Sequence, residues 1–507
     1  MTSAARRRAR VAVDLGAQSC RVSLLRWNGD EPEIEVLHRF SNEPFSTGDG
    51  LRWDIGAIFD GIMTGLRSCA ACAPEGIASV AIDGWAVDYV RLDTTGNPVA
   101  LPFCYRDART EKAEAEVHAV LPPSRLYSLT GIQILRLNTL YQLYADKLAG
   151  FDPRLPWVNL PEFIAYRLSG KRVSEYTNAT HTGLVALGTH SWCPEIFREL
   201  GLDVASAPEI VPSGSVLGPI SADLAGLPAF RDARVIVPAC HDTASAIAAI
   251  PAVGDDWAFI SSGTWSLVGT VLDAPCVSDD ARSLNFTNLG GVGGRICFLK
   301  NVNGMWLLRQ CMDEWEQKGI RWPLQELLSR CASLPTPAAL IDVDDPQLMI
   351  PGHTIDKINA QLECLGQSRC GLDDASTASL ANTIFHSMAA RYAEVLAWIA
   401  KITGKKLNRL FIVGGGSQNT LLNQLTAQRT GLEVILGSAE SATIGNFAVQ
   451  MAALERNGSL STGVTVNSVA RWAEQMLASA LAPSHGRETN ECRTRISAIS
   501  HRRETSL

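Results

Sequence analysis

The sequence predicts an α/β protein of two large domains. Three observations predict it. The 507 residues exceed what one hydrophobic core accommodates. Strand-like and helix-like segments alternate along the chain. A strand, small-residue turn and strand near the N-terminus recurs past the middle of the chain.

Val11–Asp14 and Val22–Trp27 are apolar runs joined by a Gly/Ser turn and read as a hairpin. Ser79–Asp83 and Ala86–Leu92 read as further strands, with Thr94–Pro98 as a turn. Helical periodicity marks Asn138–Leu148, stopped by Gly150, and Pro161–Leu168, stopped by Gly170, each glycine being free to take the left-handed conformation that ends a helix. Arg234–Ala239 is a strand that turns at His241-Asp242 into the small-residue helix Thr243–Ile250. The polar turn Pro251–Asp256 separates an expected first domain, 1–250, from a second, 251–480. The second opens with Trp257–Leu272, the recurrence of the first hairpin. Ile384, Met388, Tyr392, Val395 and Ile399 mark one face of a long helix ending at Gly404. Strand Leu410–Val413, the turn Gly414–Gly416 and helix Asn419–Thr430 follow. The polar, arginine-containing stretch 481–507 is expected to be disordered.

A hydrophobic fraction of 46% with 19% charged residues is that of an ordinary soluble globular chain. The formal charge of −7 argues against a nucleic-acid partner. Thirteen cysteines lie without zinc-ligand spacing, and Cys69/Cys72 reads as helix packing. The tract Arg6–Arg8 precedes an apolar run that Asp14 interrupts, so neither a signal peptide nor a membrane span is expected, and the location is expected to be cytoplasmic.

The chemistry concentrates at a few turns. In Asp14–Arg21, Gly16 and its small neighbours leave backbone N–H groups free to face an anion, Ser19 adds a hydroxyl and Arg21 a cation. Asp14 at the strand end suits a hydrated Mg²⁺. Taken by itself, the segment is better explained as an ordinary hairpin with a surface arginine. Ser261–Thr264 repeats the turn, however, and Gly414–Gly416 follows another strand, a layout that fits a nucleotide held between two similar domains. No P-loop or Rossmann fingerprint occurs. Asp242, where a strand becomes a helix, reads either as an N-cap for the Thr243–Ala246 amides or as a general base, and the helix N-terminus would keep it ionised for that task. Trp85 and Asp88 at one strand end, and Asn301 near Trp306, are candidates to stack on and read a polar substrate.

Taken together, these segments resemble the FGGY carbohydrate kinases over about Val11 to Ala453. The carriers are Val11–Arg21, Asp83–Asp88, Tyr105–Thr110, Gly131-Ile-Gln, Asn138–Leu143, His241–Ser245, Ser261–Ser266, Leu299–Leu308 and Gly414–Gln424. Asn138–Leu143 and Leu299–Leu308 favour the rhamnulokinase branch of that family. The resemblance implies two actin-like, RNase H-like ATPase domains with a cleft between them, and ATP and Mg²⁺ as cofactors. It implies a small ketose as substrate, with no nucleic-acid or membrane partner. By matching positions, Ala17, Gln18, Ser19, Cys20, Arg21, Thr264, Arg309 and Gly415 would contact ATP, and Asp242 would accept the proton. Trp85, Ala86, Asp88, His241, Thr243 and Asn301 would meet the sugar, and Asp14 and Asp242 the metal. The implied reaction is phosphorylation of the 1-hydroxyl of L-rhamnulose. Another ketose such as L-fuculose or xylulose, or a related polyol or signal molecule, is the alternative, and a non-catalytic sugar or nucleotide sensor a more distant one.

The sequence departs from the family pattern in several places. Cys20 stands where glycine is usual, which is expected to narrow the approach of phosphate or to expose a thiol beside it. D-G-W-A-V-D replaces D-T-W-G-V-D at 83–88, so Gly84 loses a hydroxyl and Ala86 gains a methyl. Arg136 replaces a proline.

Overall fold

The computed structural model describes residues 8–29, 31–456 and 463–480; the stretch 481–507 lies outside them. The chain divides into two compact units. The first holds the described residues up to Ala252, the segment Val271–Phe298 and the described residues from Glu440 onward; the second holds Val253–Thr270 and Leu299–Ala439. The Pro251–Asp256 turn is therefore where the chain first leaves the first unit, and it returns there twice.

In the first unit, β1 (Ala9–Leu15), β2 (Ser19–Asn28), β3 (Glu31–Ser41), β4 (Ile77–Gly84), β5 (Val216–Pro219) and β6 (Arg234–Ile236) form one sheet in the order β5-β6-β4-β1-β2-β3. Every residue of β1 is buried, because both faces of the sheet are covered. Strand alternation sends Val11, Val13, Leu15, Cys20, Val22 and Leu24 to one face, against Ile55, Ile58, Ile62 and Leu66 of helix Ile55–Cys72. Ala12, Leu25, Ala81 and Ile236 go to the other, against Ile444, Phe447 and Ala448 of helix Ser441–Glu455.

Helix Ile55–Cys72 starts where the Asp54 carboxylate accepts the Ala57 amide at 2.9 Å. Among the described residues it is the one helix long and apolar enough to cross a membrane; here its apolar stripe lies on the sheet. Cys69 is fully buried in that stripe and its thiol is pushed up to about 12 by burial, so helix packing accounts for it. All described cysteines are free.

The expected strand Ala86–Leu92 contracts to Tyr89–Arg91. Val87 adopts φ 72°, a left-handed conformation costly for a β-branched residue, and a strand cannot run through it. Arg136, in place of the usual proline, makes an ion pair of 2.6 Å with Glu111.

The second unit carries β7 (Trp257–Ser262), β8 (Trp265–Leu272, whose last two residues fall to the first unit), β9 (Arg409–Val413) and β10 (Glu433–Leu436), in the order β8-β7-β9-β10. An antiparallel hairpin with a parallel third strand beside its first strand thus occurs in each unit: β1-β2 with β4, and β7-β8 with β9. The expected long helix is Asp374–Thr403, closed by Gly404 in the left-handed conformation.

Candidate functional site

In the first unit, strand register alone assembles a row of charge. Asp14 pairs with Asp83 on β4 and with Arg21 on β2, and Arg21 pairs with Arg39 on β3. Residues in register on neighbouring strands share a face, so Asp83, Asp14, Arg21 and Arg39 follow one another across it. Arg21 Nη1 lies 3.1 Å from Asp14 Oδ2 and 2.8 Å from Glu440 Oε2. Asp83 is wholly buried, and neither of its carboxylate oxygens has a hydrogen-bond partner. Its polar neighbours Ser245 and Asn446 donate to the carbonyls of Ala239 at 2.8 Å and Ala81 at 3.4 Å. Burial, then the charges of Asp14 and Asp242, hold the Asp83 carboxyl well above its ordinary range.

The turn joining β1 and β2 is braced from β3. The Asn42 side chain donates to the Gly16 carbonyl at 3.1 Å, and its amide to the Gln18 carbonyl at 3.0 Å. Gln18 is exposed, while Ala17, Ser19 and Arg21 are half-buried. The expectation that Cys20 crowds or reacts beside a phosphate is overturned. Cys20 is one residue from Arg21 along a strand, so it points to the opposite face, into the core against helix Ile55–Cys72. It is fully buried, and its thiol is pushed up to about 12, chiefly by that burial.

β4 ends beside the segment that carries Asp242. The Gly84 amide donates to the Cys240 carbonyl at 2.9 Å, and Gly84 bridges His241. A side chain at Gly84 would meet Leu15 Cβ at 2.7 Å and its carbonyl at 2.9 Å, so the hydroxyl-bearing residue of the family pattern has no room here. Asp242 is the first residue of helix Asp242–Ala248, with His241 at the N-cap position. Its side chain accepts the Thr243 amide rather than the Thr243–Ala246 series. The expectation that the helix N-terminus keeps Asp242 ionised is also corrected. Burial, then the Asp14 charge, raises its carboxyl to about 7, although the Thr243 amide and Arg21 pull the other way.

Behind Asp242 stands a pair that the sequence did not reveal. His181 Nε2 and His241 Nδ1 are 3.1 Å apart, and His241 Nε2 is 3.4 Å from Asp242 Oδ1. Burial lowers both imidazoles, His181 to about 3 and His241 well below its usual value. With both rings neutral, a proton on His241 Nε2 faces Asp242 and leaves Nδ1 to accept from His181. Glu175 fixes the same segment from below. Its Oε2 accepts the Cys240 amide at 2.9 Å and the Thr177 hydroxyl at 2.5 Å, and that hydroxyl accepts the His241 amide at 3.3 Å.

Trp85, Ala86 and Asp88 form a wall near this segment. Asp88 accepts from Trp53 Nε1 at 2.6 Å, Trp85 Nε1 at 3.0 Å and Gln142 Nε2 at 3.2 Å. It is fully buried, and burial raises it to about 6. It therefore orients the two indoles, whose centroids are 4.7 Å apart. Val87 keeps its strained backbone because Thr139 Oγ1 and Gln142 Nε2 both donate to its carbonyl, at 2.7 and 3.3 Å. Thr243 is buried in the helix start.

The remaining candidates belong to the second unit. Thr264 closes the β7–β8 turn, its carbonyl accepting the Trp306 amide at 3.3 Å. Arg309, on helix Trp306–Gln317, pairs with Asp313 at 2.8 Å and is largely exposed. Asn301 is half-buried on strand Ile296–Asn303. Gly415 is exposed in the turn after β9, whose end pairs with Ser261 of β7.

Among the described residues no three His, Cys, Asp or Glu side chains are gathered closely enough to form a metal site by themselves. The donor set nonetheless fits an ion that retains most of its waters. Asp14 and Asp242 are acceptor groups close enough for the Asp14 charge to raise the Asp242 carboxyl, and beside them lies Asp83, whose carboxylate oxygens have no hydrogen-bond partner.

Residues 9–249 match the N-terminal domain model, and residues 258–454 the C-terminal domain model, of the FGGY family of carbohydrate kinases. Solved structures share the fold along nearly the whole chain. A ligand-bound xylulose kinase from Lactobacillus acidophilus superposes with a TM-score of 0.70 at 17% identity, covering 94% of this chain and 99% of its own. A gluconate kinase from Lactobacillus acidophilus gives 0.69 at 16%, with coverage of 94% and 99%. Glycerol kinase of Plasmodium falciparum with ADP gives 0.70 at 13%, with coverage of 92% of each chain.

Proposed function

The chain belongs to the FGGY family of carbohydrate kinases, and from that membership we propose that it transfers the γ-phosphoryl group of ATP to the 1-hydroxyl of L-rhamnulose. The observation that carries the mechanism is the placing of Asp242 beside the charged row of β4-β1-β2. In this reading the sugar oxygen bonds to the γ-phosphorus, its proton passes to Asp242, and the bond from that phosphorus to the β–γ bridging oxygen breaks to release ADP. The transition state is loose, so orienting the hydroxyl matters more than strong basicity. A carboxyl near 7 is matched to taking a proton at neutral pH and giving it up after turnover.

The backbone of Ala17–Cys20, the Ser19 hydroxyl and the Arg21 guanidinium hold phosphate, with Cys20 contributing main chain only. Thr264, Arg309 and Gly415 are assigned to the nucleotide from the second unit, and Asn301 to the sugar. Asp14 and Asp242 would hold the Mg²⁺, which when bound would offset phosphate charge. His241 donates toward Asp242 or a sugar hydroxyl, Thr243 stands beside it, and Trp85 with Ala86 forms the sugar wall. L-Rhamnulose is favoured because Thr139 and Gln142, from the segment that points to that branch, shape the wall through Val87 and Asp88. Xylulose is the second reading, since the fold is shared with xylulose kinases and the Ala86 methyl alters the wall. The free thiols suit a reducing cytoplasm.

The test is Asp242→Asn. It should lower sugar phosphorylation by about 10²–10⁴-fold while ADP binding stays within a few-fold of the parent. Turnover unchanged in that variant removes Asp242 from the mechanism.

A further inference from the structure

Arg39 has no part in the assignments above, yet the register places it directly across from Arg21. Two guanidinium groups opposed on neighbouring strands repel; Asp14 pairs with Arg21 alone, and a single further carboxylate is shared by both arginines. Glu440 sets Oε2 2.8 Å from Arg21 Nη1 and Oε1 3.6 Å from Arg39 Nη2. One carboxylate bridging two guanidiniums resembles the way two such groups grip the oxygens of a phosphoryl group. The Arg39 side chain is 51% exposed and that of Glu440 36%, so both can move without stranding a buried charge. Asn42, three residues beyond Arg39, braces the Gly16 turn, which keeps this end of β3 beside the phosphate hairpin.

We propose that Arg39 is a second phosphate-binding cation, acting with Arg21 as a two-guanidinium clamp, and that Glu440 is the internal carboxylate which the phosphate displaces. The inference rests on the kinase reading of the same hairpin. The phosphate gripped belongs to the nucleotide or to the sugar phosphate product; the chemistry is shared, and titration with each separates them.

Calorimetric titrations with ADP and with L-rhamnulose 1-phosphate are made on the parent protein and on Arg39→Ala, Arg39→Lys and Glu440→Gln. Loss of one charge-assisted contact should weaken the gripped ligand about tenfold in Arg39→Ala. Arg39→Lys should recover part of that loss, because charge returns without the planar fork. Glu440→Gln should tighten the same ligand several-fold. Melting temperatures of the Arg39 variants should stay near the parent's, because the Arg39 side chain is 51% exposed. Arg39→Ala binding both ligands within twofold of the parent overturns the clamp. Glu440→Gln leaving affinity unchanged or weaker overturns the displacement. A parent protein that binds neither ligand overturns the kinase reading along with the clamp, whereas normal parent binding with an indifferent Arg39 overturns the clamp alone.

Discussion

Asp242 gains its character from what surrounds it. Burial and the neighbouring Asp14 charge raise its carboxyl to about 7, against an ordinary value near 4. Removing the Asp14 charge takes away one raising influence, so Asp14→Asn should move the Asp242 titration below about 7 in the nucleotide-free protein, as read by NMR of the carboxyl carbon. A shift upward would contradict this electrostatic account. As a base, Asp242 must be deprotonated, so kcat/KM in the parent should fall as pH drops through that value. Cys20 makes the opposite point. Its thiol is buried and stays protonated, and the thiolate is the reactive form. Iodoacetamide at neutral pH should leave Cys20 unmodified in the folded protein by peptide mass analysis. Rapid labelling that ADP prevents would mean the thiol does face the phosphates. The motif placed five consecutive residues, Ala17–Arg21, at the nucleotide; the two-residue period of a strand, equally present in the sequence, already excluded the Cys20 side chain.

At the scale of elements, helix Asp242–Ala248 is held against helix Ser441–Glu455 at Gly445, where an added Cβ would sit 1.8 Å from the Ser245 carbonyl oxygen. Gly445→Ala gains helix propensity of about 1 kcal/mol, but a clash with main chain cannot be relieved by a rotamer. The variant should lose about 1–3 kcal/mol of stability in denaturant unfolding, with a lowered kcat because the displaced helix carries Asp242. Unchanged stability would show that the helices are packed less closely than described. The hairpins, the helix at Asp242 and the long helix ending at Gly404 were legible because each is signalled locally, by apolar alternation, glycine and capping chemistry. The strand through Ala86–Leu92 was misread because tertiary hydrogen bonds from Thr139 and Gln142 override the β-propensity of Val87. His181, Glu175 and Glu440 give no local signal. Their partners are 60, 65 and 419 residues away, and only the sheet brings them together.

Over the whole molecule, each unit is organised about an antiparallel hairpin with a parallel third strand beside it. The first unit adds the carboxylates, the histidine pair and the aromatic wall; the second supplies its own small-residue turn and the glycine turn after β9. Fold and family were readable because the turn recurs at fixed points in an α/β chain. The sugar was less so, since the wall is set by packing behind Trp85 and by the fit of Gly84 and Ala86. Sugar-dependent ADP formation by the purified protein, measured over a panel of ketoses with ATP and Mg²⁺, tests the central claim most directly. The account predicts saturable turnover with L-rhamnulose at a higher kcat/KM than with L-fuculose or xylulose. A clear preference for another ketose would contradict the substrate, and no sugar-dependent ADP with any carbohydrate would contradict the kinase reading of the site.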